Sequence, residues 1–160
     1  MRTLKLVLAF ALVILGASGA RAEFSTEDIG KGTFALGLNY PGLGVKYFVS
    51  DNYAAEIKAQ TEFGDDVGGL RAYRYFRPVP KTLVFLGLEG DYVHFKGASS
   101  KGSGYAGEFF VGAEYFVLPH LGLQADFGPA YVHIKDTASS LSDGGVEFVF
   151  NLGANYYFGK

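Results

Sequence analysis

The chain contains no cysteine and no tryptophan. Without a thiol it can form no disulfide, no thiolate metal site and no lipid-modified N-terminal cysteine. Beyond the first 22 residues no window holds the roughly 18 consecutive apolar residues of a membrane-spanning helix. Basic residues are scarce, 14 Lys and Arg against 16 Asp and Glu, which is not the balance of a nucleic-acid binder. Neither a metal-ligand spacing nor a phosphate-binding glycine loop occurs.

The one long apolar run sits at the start. Arg2 and Lys5 precede the apolar stretch Leu6 to Leu15, and Ala20-Arg21-Ala22 forms a small-residue cleavage site. Residues 1–22 therefore read as a cleaved secretory signal peptide, and residues 23–160 as a single domain. Three of the 14 basic residues leave with the signal and all 16 acidic residues stay, for a formal charge of about −5.

What remains is rich in glycine, with 23 residues, and in Tyr and Phe, with aromatics at 16%. Its clearest pattern is Val146–Phe158, where Val146, Phe148, Phe150, Leu152, Ala154, Tyr156 and Phe158 alternate with Glu147, Val149, Asn151, Gly153, Asn155 and Tyr157. A period of two is that of a β-strand. The length exceeds the roughly 5–6 residues usual in soluble domains and suits a strand tilted across a bilayer, which needs about 9–11.

The same alternation predicts strands at Thr33–Tyr40, Leu43–Val49, Tyr53–Phe63, Leu70–Arg77, Leu83–Phe95, Tyr105–Val117 and Leu121–Ile134, eight in all with the last. Short connections (Pro41-Gly42, Ser50 to Asn52, Pro78 to Lys81, Pro119-His120) join some pairs. Longer polar loops (Gly64–Gly69, Lys96–Gly104, Lys135–Gly145) join the others. Lys46-Tyr47-Phe48, Arg74-Tyr75-Phe76, Glu114-Tyr115-Phe116 and Asn155-Tyr156-Tyr157 stand at matching strand ends. Each is read with its tyrosine outward in an interfacial belt and its flanking residues inward. In the fourth strand this places Tyr73 and Tyr75 outward, Arg71 and Arg77 outward at the two rims, and Arg74 inward.

The expected fold is all-β, an eight-stranded antiparallel up-and-down transmembrane barrel. A soluble barrel of lipocalin type has the same strand count but turns its apolar face inward. Here Gly37, Gly44, Gly87, Gly112, Gly122, Gly128 and Gly153 lie mainly on the face that carries charges. A solvated face gains nothing from glycine, whereas a lumen only just wide enough for side chains needs it. The charges assigned to that lumen are Lys46, Glu56, Lys58, Arg74, Glu89, Asp91, Glu108, Glu114 and Asp126, with Glu62 and Glu147. Acids outnumber bases, so two readings are open: a salt-bridged plug, or a narrow cation-favouring path.

The signal peptide, the LGVKYFVSDNYAAEIKA hairpin and the terminal NLGANYYF strand together resemble the small outer-membrane barrels of the OmpA/OmpX/opacity-protein superfamily. The resemblance implies an outer-membrane location with lipid and lipopolysaccharide as surroundings. It also implies delivery by periplasmic chaperones and the barrel-assembly machinery, with Leu152, Tyr156 and Phe158 as the assembly signal. Gly159 and Lys160 follow Phe158 here, whereas the usual signal ends on its aromatic. No peptidoglycan-binding domain is expected after the barrel. Some barrels of this size modify lipid A with Ser, His and an acid. The candidates are His94 and His133 with Ser99, Ser100, Ser103, Ser139, Ser140 and Ser142, but the closely spaced His-x-Ser of the deacylases is missing. The expectation is a non-enzymatic monomer with no catalytic residue, cofactor, metal or nucleic-acid partner.

Overall fold

The computed structural model describes residues 25–39, 42–62, 65–96, 101–136 and 142–158. Residues 1–24, which include the expected signal segment, residues 40–41, 63–64, 97–100, 137–141 and 159–160, and the side chains of Glu62, Asp65, Lys96, Lys101 and Ser142 lie outside the described residues. Eight strands follow in order: β1 Phe34–Asn39, β2 Gly42–Phe48, β3 Tyr53–Glu62, β4 Asp65–Val79, β5 Thr82–Lys96, β6 Lys101–Leu118, β7 Leu121–Asp136 and β8 Ser142–Phe158. Each pairs antiparallel with the next, and β8 pairs back onto β1, closing an up-and-down barrel.

The strands rise further on one side than expected. The sequence pattern predicts a loop at Gly64–Gly69, but β4 already begins at Asp65, and its Asp65–Gly69 stretch pairs with both β3 and β5. Likewise β6 begins at Lys101 and β8 at Ser142, inside the other two predicted loops. Polar and glycine-rich residues can extend a ladder when both neighbours offer backbone partners, which composition does not reveal. The wall is correspondingly uneven. β1 has 6 residues and β8 has 17. Their pairing runs only from Phe34↔Phe158 to Asn39↔Gly153, so among the described residues 142–152 of β8 pair with β7 alone.

The barrel interior is the core. Around the short-turn end Phe48, Tyr73, Tyr75, Phe85, Phe110, Phe116 and Tyr157 are buried against one another. Phe48 and Tyr75 stack with centroids 5.0 Å apart, and Tyr73 meets Phe110 edge-on at 5.3 Å. The residues just ahead of β1 cover this end. Ser25 caps a single 3-10 turn, Thr26–Asp28, in a capping box. The Thr26 N–H donates to the Pro80 carbonyl at 2.8 Å. Arg77 donates to the Ile29 carbonyl at 2.6 Å, to the Thr26 carbonyl at 3.2 Å and to the Asp51 carbonyl. Ile29 is thereby buried against the aromatic cluster.

Glycine makes the interior fit. A Cβ on Gly87 would lie 2.5 Å from the Ala72 carbonyl oxygen, and one on Gly128 would lie 2.8 Å from the Phe109 carbonyl carbon. Both obstacles are backbone and cannot swing aside. Gly90 points outward, where a Cβ meets nothing within 4 Å. Gly128→Val should therefore destabilise the barrel by about 3 kcal/mol, the upper range for overpacking. Gly90→Val should cost little. Thermal melting followed by circular dichroism separates the two.

Candidate functional site: the lumen network

Strand pairing fixes which charges share the lumen, because residues directly opposite one another lie on the same face of the sheet. One row runs Lys46↔Glu56↔Arg71↔Glu89↔Glu108 across β2 to β6. Arg71 therefore faces inward. Arg74, three positions on, faces outward, and so do Ala72 and Phe76, while Tyr73 and Tyr75 are each only 2% exposed. The face assigned to β4 from sequence is corrected: Arg74 does not belong to the lumen and Arg71 does. Reading the tyrosines as a belt slipped the strand by one residue, which exchanges its two faces entirely. Of the four aromatic triplets, those around Tyr47, Tyr115 and Tyr156 keep the predicted sense, and the one around Tyr75 reverses. Arg77 is not a rim residue among headgroups either; it folds over the short-turn end onto residues 26–29.

Arg71 is the centre of the upper cluster. Its guanidinium forks onto Asp126, Nη2 to Oδ1 at 2.7 Å and Nη1 to Oδ2 at 3.3 Å, and its Nε lies 2.6 Å from Glu89 Oε2. Its plane lies 4.0 Å over the Phe110 ring. Lys58 pairs with the other Glu89 oxygen and stands 3.7 Å from Asp91. Asn151 donates to Asp126 Oδ1 at 2.9 Å.

Lys46 is the centre of the lower cluster. It lies 3.9 Å from Glu56, 3.8 Å from Glu114 and 4.6 Å from the Tyr73 ring centroid. Tyr73 donates its hydroxyl to Glu56 Oε2 at 2.5 Å, and Asn39 donates to Glu56 Oε1 at 2.7 Å. Tyr157 and Asn155 donate to the two oxygens of Glu114 at 2.7 Å and 2.9 Å.

Gln124 joins the clusters. Its Oε1 accepts from Lys46 at 2.8 Å and Asn155 at 3.0 Å, and its Nε2 donates to Asp126 at 2.8 Å. Sequence reasoning passed over Gln124, Asn155, Tyr73 and Tyr157 because it counted charges, whereas buried carboxylates also need neutral donors. The inward position of Gln124, Asn155 and Tyr157 in β7 and β8 was the available signal, and the outward placement of Tyr73 on β4 hid its role.

Lys46, Glu56, Lys58, Glu89, Asp91, Glu108, Glu114 and Asp126 all lie on the lumen side, as expected. Glu108 is different in kind: like Glu89 and Asp91 it has a carboxylate oxygen buried without a hydrogen-bond partner, but among the described residues it makes no ion pair, whereas they do. Glu147 shares the lumen-facing row through Ala130 but is exposed at the open end of the barrel. Of the assembly-signal residues, Leu152 is 58% exposed, and Tyr156 and Phe158 sit on the same outer face, their rings 4.9 Å apart.

The hydrolase candidates resolve into two places on the outer face. Asp66, His94 and Ser103 are directly opposite one another across β4, β5 and β6. His133 lies beside the Tyr105 ring at 5.1 Å. Among the described residues no hydrogen bond or ion pair links Asp66, His94 and Ser103. Their backbone belongs to the strand ladders. Ser99, Ser100, Ser139 and Ser140 lie outside the described residues. No family model matches the chain, and no curated protein matches it.

Removing Arg71 leaves Asp126 buried without its cation and Glu89 with Lys58 alone. Arg71→Gln should therefore destabilise the fold by about 3–5 kcal/mol, the cost of breaking a buried pair from one side. Arg74→Gln, on the outer face, should stay within about 0.5 kcal/mol. Urea unfolding midpoints measure both; equal effects would contradict the face assignment.

Proposed function

We propose that the protein is a non-enzymatic integral β-barrel of the bacterial outer membrane, exported by a cleaved signal at residues 1–22. The observation that carries this reading is an inversion of burial. Charged side chains are enclosed, while Ile57, Leu70, Leu88, Phe148 and Phe150 are each more than 60% exposed and belong to an apolar band around the wall. Monomeric soluble proteins rarely expose contiguous apolar patches beyond a few hundred Å². Exposed tyrosines edge the band at both ends: Tyr47, Tyr53 and Tyr115 near the short turns, and Tyr92, Tyr105 and Tyr131 toward the long loops. Tyr105 and Tyr115 lie on β6, roughly 34 Å apart along the strand. At a tilt of about 40° that gives about 25 Å along the barrel axis, the height of the apolar band in outer-membrane barrels.

On this reading lipid and lipopolysaccharide surround the wall, periplasmic chaperones and the barrel-assembly machinery deliver it, and the network around Arg71, Gln124 and Lys46 plugs the lumen. The surface segments at the long-loop end make whatever external contact the protein has. Purified protein should insert into lipid vesicles and migrate on gels differently before and after boiling. Phe150→Arg should impair insertion, since a cation at the lipid-facing midplane costs about 2–4 kcal/mol. Asn151→Ser, one residue on and facing inward, should not. A wild-type chain that stays water-soluble and shows no heat-dependent migration would overturn the proposal.

The second reading, a narrow cation-favouring path, is favoured by the lumen's charge balance. Among the described residues Glu56, Glu89, Asp91, Glu108, Glu114 and Asp126 face Lys46, Lys58 and Arg71 in the lumen. Planar-bilayer recording decides: the plug gives no reproducible steps, and a path gives cation-selective steps that Glu108→Gln reduces.

A further inference from the structure

The outer wall carries one feature that the lumen network does not explain. A cleft of about 600 Å³, almost wholly apolar, lies across the outside of β2 to β5. Its origin is a row of unequal side chains. Ala55 and Ala72 are direct partners, with Tyr47 beyond Ala55 and Leu88 beyond Ala72. Two small residues thus form a floor between two large walls. In the next row toward the long-loop end, Ile57 and Leu70 are followed by Gly90, which carries no side chain. The volume falls in the range of ligand clefts, about 300–1,000 Å³.

At the cleft's other end, one row toward the short turns, stands Arg74, flanked by Tyr53 on β3 and Leu86 on β5. It is exposed, and its guanidinium lies 5.2 Å from the centroid of the Phe76 ring. Among the described residues Arg74 makes no salt bridge, and Asp66, on the same face of β4, stands eight positions away at the long-loop end. An arginine on a lipid-facing wall is costly unless its charge is answered by an anion at the interface. It lies about 7 Å along the strand from the Ala72 floor.

We infer that this cleft and Arg74 form a binding site for one anionic glycerophospholipid of the leaflet at the short-turn end. An acyl chain lies over Ala55 and Ala72 between Tyr47 and Leu88. The phosphate meets the Arg74 guanidinium, which can hold two of its oxygens at once. Lipopolysaccharide is the wrong occupant, because on the proposed orientation its phosphates lie at the opposite end of the barrel. The inference rests on the membrane reading above.

The test uses the full mature chain in phosphatidylcholine vesicles, with spin-labelled phosphatidylglycerol or spin-labelled phosphatidylcholine as the probe. Heat-dependent gel migration is read first on every preparation. Wild-type protein should hold the anionic probe about fivefold more tightly than the neutral one, the selectivity of a single interfacial arginine. Arg74→Gln should bring the ratio close to one. Ala72→Leu, which fills the cleft from outside, should reduce the immobilised fraction of both probes, and Ala55→Leu should do the same independently. Equal binding of the two probes by folded wild-type protein overturns the inference and leaves the membrane reading standing. A chain that never inserts overturns both. A cleft occupied by a second copy would appear as a cross-linkable dimer made monomeric by Ala72→Leu, and would also overturn it.

Discussion

The fold depends on the requirement that each cation turned into the barrel meet carboxylates there. Arg71 meets that requirement for the upper half of the lumen. One guanidinium on β4 answers carboxylates on β5 and β7, so three strands are fixed in register from the inside. A buried ion pair adds little net stability over a well-packed apolar alternative, but a mismatched one is expensive. Its contribution is therefore discrimination. Slipping any of these strands by one residue would carry an Asp, Glu or Arg out of the lumen and an apolar side chain in. Gln124 extends the same logic, since its amide accepts from the Lys46 cluster and donates to the Arg71 cluster.

Strand number, order and closure were legible in the alternation, and so was the placement of glycine on the crowded face. Gly44 and Gly122 show why that signal was sound. A Cβ on either would run into the side chain of Glu56 or Glu114, so small residues and buried acids had to share one face. The β4 assignment failed for an equally physical reason. Leu70 to Arg77 alternates between two sets that each contain a cation and aromatic rings, so the pattern of that segment alone does not choose between them. Pairing does, because Arg71 stands between Glu56 and Glu89. The lower cap was not read from the sequence: its docking depends on Arg77 and Pro80, more than 45 residues away, which no local pattern encodes.

Inside and outside answer to different constraints along the same strands. The inward residues are chosen for mutual satisfaction, and a change there propagates through Gln124 to both halves. The outward residues answer to the surroundings, so their sizes can vary without disturbing the network. The row Tyr47, Ala55, Ala72 and Leu88 shows that freedom, with a hollow in the wall directly outside the most crowded part of the lumen.

The seam between β1 and β8 has a mechanical consequence. Elsewhere on the tall side of the barrel, neighbouring strands are zipped over nearly their whole length, as from Thr82↔Tyr115 to Lys96↔Lys101. The seam holds only from Phe34↔Phe158 to Asn39↔Gly153, and above it the edge of β8 stands free among the described residues. Separation of the wall should start there, as a tear starts at a notch. The clasp against it is placed at the bottom, where Phe34 and Phe158 stack at 5.0 Å and Tyr157 is anchored on Glu114. The end of β8 therefore acts as the latch of the cylinder, and amide exchange should advance downward along β8 from its free edge toward that latch.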